Sequence, residues 1–307
     1  MTTVDTVRST GFARDHAELR EIRAREPERI AALFAARSRR GFVPPDGRLM
    51  LVAADHPARG ALAVRGRPDA MASRLELLDR LAEALSRPGV DGVLGTADVL
   101  EDLLLLGALE DKVVVSSLNR GGLAGSAFEL DDRMTGYDVR GTVDAGFEAA
   151  KMLTRIDVDD PATVATLETC GRAVTELNRA GVVALLEPFL THRVDGRAVN
   201  DLSPEAVIRS VHIAQGLGAS SAYTWLKLPV IKEMDRVMAA TTLPTLLLGG
   251  DPATEPEETY ESWRAALDQP GVRGLVVGRS LLYPPDDDVA AAVDTAVSLV
   301  RPKPAHS

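Results

Sequence analysis

From residue 48 onward, short apolar runs of strand length alternate with segments whose apolar residues recur at helical spacing. The apolar runs are Arg48–Asp55, Val90–Gly95, Lys112–Ser117, Lys151–Asp157, Val182–Pro188, Ser220–Leu228, Leu243–Gly249 and Arg273–Gly278. The helical segments include Ala70–Ser86, Ala97–Leu106, Gly141–Ala150, Pro161–Ala180, Pro204–Leu217, Ile231–Ala240, Glu257–Leu267 and Val289–Val300. The nearly continuous apolar runs indicate strands buried on both faces, as in a parallel sheet covered by helices. Eight strand–helix units predict an α/β fold of the TIM (β/α)8 barrel type, which typically takes about 250 residues.

An open, doubly wound parallel sheet is the alternative fold for this pattern. Dinucleotide-binding sheets of that type carry G-x-G-x-x-G directly after the first strand. Here the first apolar run ends in AADHPARG instead. The sequence therefore favours the closed barrel.

The residues before the first strand predict a helical N-terminal extension. Asp15–Arg40 is rich in Ala, Leu, Glu and Arg and carries an apolar stripe, and Pro27 predicts a break into two helices. We therefore divide the chain into three parts. They are an N-terminal arm with helices packed on the barrel (1–47), the barrel as catalytic domain (48–301) and a short tail (302–307).

The charge balance is acidic, with 35 Lys and Arg against 45 Asp and Glu and a net charge of −10. Such a surface argues against nucleic acid or an anionic membrane as partner, because phosphate-rich partners need a basic face. Cys170 is the only cysteine, which excludes an internal disulfide and a cysteine-based zinc site. The N-terminal MTTVDTVRSTGFARDH lacks the apolar segment of a signal peptide, and no apolar run approaches the ~20 residues of a membrane span. We expect a cytoplasmic protein.

In a TIM barrel the active site is built where the strands end, and the sixth predicted strand carries a lysine there. Lys227 lies within the otherwise apolar AYTWLKLPV. Burial, together with the like charge of Lys151 on the fourth strand, lowers the pKa of such an amine and leaves some of it neutral. A neutral amine can attack a carbonyl and form a Schiff base. Position alone leaves the alternative open, which is a lysine that points to water or pairs with a carboxylate.

Three further charged residues near strand ends are candidates for proton transfer. Lys151 and Glu187 belong to neighbouring strands beside that of Lys227, and a carboxylate next to an ammonium can carry the protons of carbinolamine chemistry. A structural salt bridge is the alternative for this pair. Asp55 ends the first strand, where a carboxylate can orient an iminium or take a hydroxyl proton. The alternative for Asp55 is a role in anchoring the loop.

Glycines follow the last two strands of the predicted barrel. Gly249 and Gly250 end the seventh, and Gly278 precedes Arg279 at the end of the eighth. The loops at these two positions of TIM barrels frequently bind phosphate. Glycine lets main-chain N–H groups approach the anion, and arginine adds a charged fork. Ordinary strand–helix turns are the alternative, but glycines at both of these strands favour a phosphate site.

His56 and His192 lie near strand ends and are the candidates for a metal site. Neither belongs to an H-x-H or H-E-x-x-H pattern. We therefore predict neither a metal nor another cofactor. A metal-dependent aldolase or a phosphate-binding isomerase that uses one of these histidines is the rival enzyme class.

Taken in chain order, these residues resemble the class I aldolases, most closely the deoxyribose-phosphate, tagatose-bisphosphate and archaeal-type fructose-bisphosphate aldolase branch. The motifs, all from residues 48–300, are Asp55-His56, Lys151 in AAKMLTRID, Glu187 in LLEP, Lys227 in WLKLP, and the segments LLLGGD and LVVGRSLL. The resemblance implies that Lys227 forms the Schiff base. It also implies a phosphate held by Gly249, Gly250, Gly278 and Arg279, and proton transfer assisted by Asp55, Lys151 and Glu187.

Two features of this sequence depart from that branch and are similar to those of a narrower group. The first strand continues into DHPARG where archaeal-type members have an Asp-His-Gly-like turn, and a helical extension ending in ARSRRG precedes the barrel. Both features resemble actinobacterial barrel proteins associated with inositol catabolism. That resemblance implies cleavage of 6-phospho-5-dehydro-2-deoxy-gluconate to dihydroxyacetone phosphate and malonate semialdehyde.

Other substrates and other roles stay open from the sequence. Fructose-bisphosphate, tagatose-bisphosphate or deoxyribose-phosphate cleavage is the alternative activity. A barrel that binds a sugar phosphate without catalysis is the alternative from another class. We expect a phosphorylated sugar as the partner and a homo-oligomeric assembly.

Overall fold

The structure is a computed structural model that describes residues 11–120, 122–250 and 255–302. Its strands are β1 (Leu49–Ala53), β2 (Gly92–Gly95), β3 (Val113–Ser117), β4 (Ala149–Ile156), β5 (Val183–Val194), β6 (Arg197–Asn200), β7 (Thr224–Leu228), β8 (Thr245–Leu248) and β9 (Val272–Val277). Its α-helices are α1 (His16–Arg25), α2 (Glu28–Ala36), α3 (Arg74–Ser86), α4 (Ala97–Leu105), α5 (Val139–Asp144), α6 (Ala162–Ala180), α7 (Pro204–Gln215), α8 (Met234–Ala239), α9 (Pro256–Leu267), α10 (Arg279–Leu282) and α11 (Val289–Val300). A short 3-10 helix, Pro57–Arg59, follows β1.

Eight of the strands close into a parallel barrel. They pair in the order β4-β3-β2-β1-β9-β8-β7-β5, and β4 also pairs with β5. The predicted TIM barrel is confirmed, and the open sheet is wrong. Each predicted apolar run corresponds to one barrel strand, the sixth being β7. Strand β6 lies outside the barrel and pairs antiparallel with the end of β5.

Two apolar layers hold the barrel together, because strand side chains point alternately inward and outward. The outward-facing layer packs against the helices. The inward-facing layer comprises Leu49, Leu51, Ala53, Leu94, Val113, Val115, Ala149, Val183, Leu185, Trp225, Leu246 and Val276. Phe42 packs edge-on against Trp225 with 5.1 Å between ring centroids. That contact covers the interior near the amino-terminal ends of the strands.

The N-terminal extension forms two helices separated at Pro27, as predicted. An ion pair connects each of them to residues of the barrel domain. Arg23 of α1 binds Asp102 of α4 at 2.6 Å, and Arg37 after α2 binds the buried Glu148 at 3.0 Å. Residues 1–10 of the predicted N-terminal part (1–47) and residues 303–307 of the predicted tail (302–307) lie outside the described residues. Within the described part of the chain, no helix combines the length and hydropathy that crossing a membrane requires.

Two details of the predicted elements are wrong. The helix predicted over Gly141–Ala150 ends at Asp144, because Gly146 adopts a left-handed φ of 68° and the chain then enters β4. The strand expected to end at Pro188 continues to Val194 and turns back through Asp195 and Gly196 into β6. These two turn residues have φ of 49° and 79°, as a type I′ hairpin turn requires.

Candidate active site

A layer of charged side chains lies directly above the apolar interior, at the carboxyl ends of the strands. Each charged residue is two positions after an interior apolar residue, and residues two apart face the same side of the chain. The pairs are Ala53 and Asp55, Ala149 and Lys151, Leu185 and Glu187, and Trp225 and Lys227. All four charged side chains are buried, with residue exposures of 0, 0, 8 and 4% in chain order.

Glu187 joins the two lysines. Nζ of Lys227 donates to Oε1 of Glu187 at 2.8 Å, and Nζ of Lys151 lies 2.6 Å from Oε2. One carboxylate therefore contacts both amines, one on each oxygen. Because the three residues come from β4, β5 and β7, which are neighbours in the barrel, strand pairing fixes their relative positions.

Asp55 holds the other side of Lys151. Its Oδ2 atom accepts hydrogen bonds from Nζ of Lys151 at 3.0 Å and from Oγ of Ser117 at 3.1 Å. The guanidinium of Arg120, from the loop after β3, forms an ion pair with the same oxygen. Lys151 is thereby fixed between two carboxylates, and Asp55 receives three donors on one atom.

Burial dominates the electrostatics of this layer. It lowers the pKa of Lys227 and outweighs the opposing attraction of Glu187. It also lowers the pKa of Lys151, with help from the positive charge of Arg120. For Glu187, burial opposes ionisation, but Lys151, Lys227 and Arg120 together hold its pKa below the usual range. An ionised Glu187 beside an amine that readily loses its proton is the arrangement that nucleophilic amine chemistry needs.

A cavity of about 530 Å³ opens above the charged layer. Asp55, Glu187 and Lys227 line its floor, whereas Lys151 is fully buried beneath it. Gly249, Gly250, Gly278 and Arg279 line one side, where β8 and β9 end. The predicted site residues therefore meet at one cavity, with Lys151 in contact from below. Their roles stay predictions.

Close packing requires glycine on the side of the cavity formed by β8 and β9. A Cβ atom at Gly278 would lie 2.3 Å from the main-chain oxygen of Ala53. One at Gly249 would lie 2.7 Å from a methyl carbon of Val277. Gly250 adopts a left-handed φ of 75°, which L side chains rarely adopt. These three glycines bring main chain to the cavity surface beside Arg279.

His56, directly after Asp55, also lines the cavity. About a quarter of its side chain, 24%, remains exposed. Desolvation and the positive charges of Arg279 and Lys227 hold the pKa of His56 well below its ordinary value, so the imidazole is neutral near pH 7. His192 is exposed on β5. Among the residues that the structure describes, no group of three or more His, Cys, Asp and Glu is arranged to hold a metal ion.

The opposite side of the cavity contains residues for which the sequence predicted no role. Arg155 at the end of β4 forms a two-pronged ion pair with Asp132 at 2.7 Å. Arg59, Arg120, Phe189 and Asn200 are further lining residues. The sequence marks both Arg155, near the end of the buried strand β4, and Arg120, in the loop directly after the buried strand β3. The sequence also marks the strand that contains Asn200, because the Asp-Gly turn before β6 is typical of a hairpin.

The comparisons with known proteins agree with this fold. A model of the Cgl0159-like family matches residues 47–297. The crystal structure of Cgl0159 from Corynebacterium glutamicum (Brevibacterium flavum) is 58% identical, covering 92% of this chain and 96% of that one, with a TM-score of 0.90. A comparison with curated proteins finds no match.

Solved aldolase structures share the barrel at much lower identity. One is a Schiff-base-forming fructose-1,6-bisphosphate aldolase, 18% identical, with a TM-score of 0.62 over 88% of this chain and 99% of that one. Another is an archaeal fructose-1,6-bisphosphate aldolase whose catalytic lysine is bound to the carbinolamine intermediate. It is also 18% identical, with a TM-score of 0.63 over 88% and 99%. At this identity the likeness establishes a common fold.

Proposed function

The chain belongs to the Cgl0159-like family, and from its buried lysine–carboxylate cluster we propose that it is a class I aldolase acting through Lys227. The observation that carries this proposal is the 2.8 Å contact between Lys227 and Glu187 on the floor of a cavity. Burial lowers the pKa of the amine. The barrel shared with Schiff-base-forming aldolases is consistent with it.

The first half of the reaction forms the Schiff base. The neutral Nζ of Lys227 attacks the ketone carbon of the substrate and gives a carbinolamine. Glu187, bound to both amines, carries the proton released by Nζ to the carbonyl oxygen. A second proton, supplied by Lys151 through Glu187, lets the hydroxyl leave as water. Lys151 stabilises the changing charge on Glu187 from 2.6 Å away. The product of this half is an iminium on Lys227.

The second half breaks the carbon–carbon bond. A base takes the proton of the hydroxyl on the carbon β to the iminium carbon, and that carbon becomes an aldehyde. The electron pair of the broken bond moves into the iminium and leaves an enamine on Lys227. Asp55 lies in the same cluster at the cavity and assists this proton transfer. Protonation of the enamine carbon and hydrolysis of the iminium release the ketone product and restore the amine.

The substrate class follows from the charges that line the cavity. The glycines after β8 and β9, with Arg279, are suited to a phosphate. Arg155 comes from β4, which is four strands from β9 in the eight-stranded barrel and therefore faces it across the cavity. Because Arg155 is already paired with Asp132, the phosphate site beside Arg279 carries the argument, and it favours a phosphorylated keto-sugar. A phosphorylated keto-sugar acid such as 6-phospho-5-dehydro-2-deoxy-gluconate meets this requirement, and so does a sugar bisphosphate.

Borohydride trapping tests the proposal. Incubation with dihydroxyacetone phosphate, reduction and digestion should place the mass adduct on the peptide that contains Lys227. Lys227→Ala should abolish the adduct and lower turnover by at least about a thousandfold while leaving the circular dichroism spectrum unchanged. Lys232→Ala, a change at an exposed lysine four residues after β7, is the matched control.

Each negative result of this experiment would favour a different alternative function. Ligand binding without an adduct would contradict the aldolase and favour a non-catalytic sugar-phosphate-binding barrel. Activity that a chelator removes would favour a metal-dependent enzyme. If the adduct forms, malonate semialdehyde released from the keto-sugar acid, against glyceraldehyde 3-phosphate from fructose 1,6-bisphosphate, distinguishes the two substrates.

A further inference from the structure

The loop after β1 contains two buried polar atoms without hydrogen-bond partners among the described residues. Oδ1 of Asp55 and Nδ1 of His56 are shielded from solvent, and neither has a hydrogen-bond partner among the described residues. The two atoms are 3.9 Å apart. A buried polar atom without a partner is unfavourable, because it has given up its hydrogen bonds to water. The 3.9 Å separation is longer than a hydrogen bond, and a small rotation of the imidazole towards Asp55 would give both atoms a partner.

The second oxygen of Asp55 determines what this carboxylate can do. Oδ2 accepts from Lys151 and Ser117 and pairs with Arg120. Cationic donors on one oxygen stabilise the ionised carboxylate and make it a weak base. Asp55 is therefore suited to accept a hydrogen bond from His56. It is poorly suited to hold a proton taken from substrate.

The imidazole of His56 is held at the cavity wall. A Cβ atom at Gly278 would lie 3.2 Å from Cε1 of His56, so the ring rests against this glycine. Burial and the positive charges around the ring keep the imidazole neutral near pH 7. The charged groups that face it from the surrounding elements are Asp55, Lys151, Glu187, Lys227 and Arg279.

We propose that His56 is the catalytic base of the bond-breaking step, with Nδ1–H directed at Asp55 and an unprotonated Nε2 facing the substrate. A histidine whose Nδ1–H is held by a carboxylate presents its other nitrogen as the proton acceptor. The inference rests on the proposed function, because the step needs an iminium on Lys227. Nε2 takes the hydroxyl proton, the C–O bond becomes C=O, and the electron pair of the C–C bond enters the iminium. In the reverse reaction His56 returns that proton to the aldehyde oxygen.

The test separates this step from the chemistry of Lys227. His56→Asn keeps a donor near the position of Nδ1 and removes the base, and His192→Asn on the exposed face of β5 is the matched control. Three quantities are measured: the borohydride adduct of dihydroxyacetone phosphate, exchange of its carbon-bound proton in deuterated water, and condensation with malonate semialdehyde or glyceraldehyde 3-phosphate. We expect His56→Asn to keep the adduct and the exchange within about threefold, and to lose condensation by about a hundredfold or more.

Each other result decides against the inference. Wild-type condensation in His56→Asn would remove His56 from the mechanism. Exchange lost together with condensation, while the adduct is retained, would assign His56 to the enamine carbon instead of the hydroxyl. No adduct in the wild-type protein would overturn the proposed function itself. If His56→Asn does not fold, as judged by circular dichroism, His56→Gln replaces it under the same criteria.

Discussion

Lys227 donates a 2.8 Å hydrogen bond to Glu187, although the two residues lie on different strands and 40 positions apart in the chain. Both side chains are buried, Lys227 near the carboxyl end of β7 and Glu187 within β5, which pairs with β7 in parallel. Removing two such groups from water is expensive unless each charge has a partner. Here the two charged groups are partners of each other, and they lie where the cavity opens.

Glu187 has a second cationic partner besides Lys227. Lys151 occupies its other oxygen at 2.6 Å, so two amines share one carboxylate. Lys151 in turn reaches Asp55, which Arg120 also binds. The five groups comprise three cations and two anions, so loss of one proton from a lysine brings the cluster to neutrality. That charge balance favours a neutral amine at one of the two lysines.

Glu187→Gln tests how the carboxylate controls the amine. Glu187 raises the pKa of Lys227 by attraction, so its neutralisation should lower that pKa further. The pH midpoint for borohydride trapping at Lys227 should therefore move down, while turnover falls by roughly 10²–10⁴-fold because the proton carrier is lost. Glu205→Gln at the exposed start of α7 is the control. A midpoint that stays in place would contradict the coupling.

Arg279→Met tests the phosphate site. Loss of one charged hydrogen-bonding group costs about 1.5–3 kcal/mol, so the concentration of dihydroxyacetone phosphate that half-saturates trapping should rise roughly 10- to 150-fold. Trapping by unphosphorylated dihydroxyacetone should not change. Arg273→Met, at the opposite end of β9 and exposed, is the matched control. Equal effects on both ligands would place the phosphate elsewhere.

Gly278→Ala tests the close packing beside that site. The added methyl group would meet the Ala53 oxygen at 2.3 Å, so the loop after β9 must move. We expect a loss of about 1–3 kcal/mol in the free energy of unfolding and weaker binding of dihydroxyacetone phosphate. Gly171→Ala in α6, where the nearest atom is 3.6 Å from the new Cβ, should be neutral or stabilising. Urea unfolding of the two variants measures the difference.

The barrel and the positions of its site residues were predictable for a physical reason. The strands are continuous apolar runs, so a charged residue such as Lys227 at the end of one stands out. Parallel strands also bring their ends to one face. The hairpin of β5 and β6 was missed although Asp195-Gly196 marks it, because the eight runs already completed a barrel. The pairing of Arg120 with Asp55 was not predictable, because no local pattern fixes which side chains meet across two loops.

The final prediction concerns stability and pH, with Lys227→Met as the variant. Burial holds the pKa of Lys227 in the folded protein below its ordinary value of 10.5. Between that lowered pKa and 10.5, the unfolded chain binds a proton that the folded protein has released, so the free energy of unfolding rises with pH. Each pKa unit of the difference contributes about 1.4 kcal/mol.

The Lys227→Met substitution also removes a positive charge that lowers the pKa of Lys151, which reduces the pH dependence from that residue too. Wild-type protein should therefore gain stability relative to Lys227→Met as the pH rises from 7 to 10. The comparison of wild type with Lys232→Met, at the exposed lysine, should stay flat over the same range. Urea unfolding across this range measures both differences, and parallel curves for wild type and Lys227→Met would show that Lys227 keeps an ordinary pKa in the folded protein.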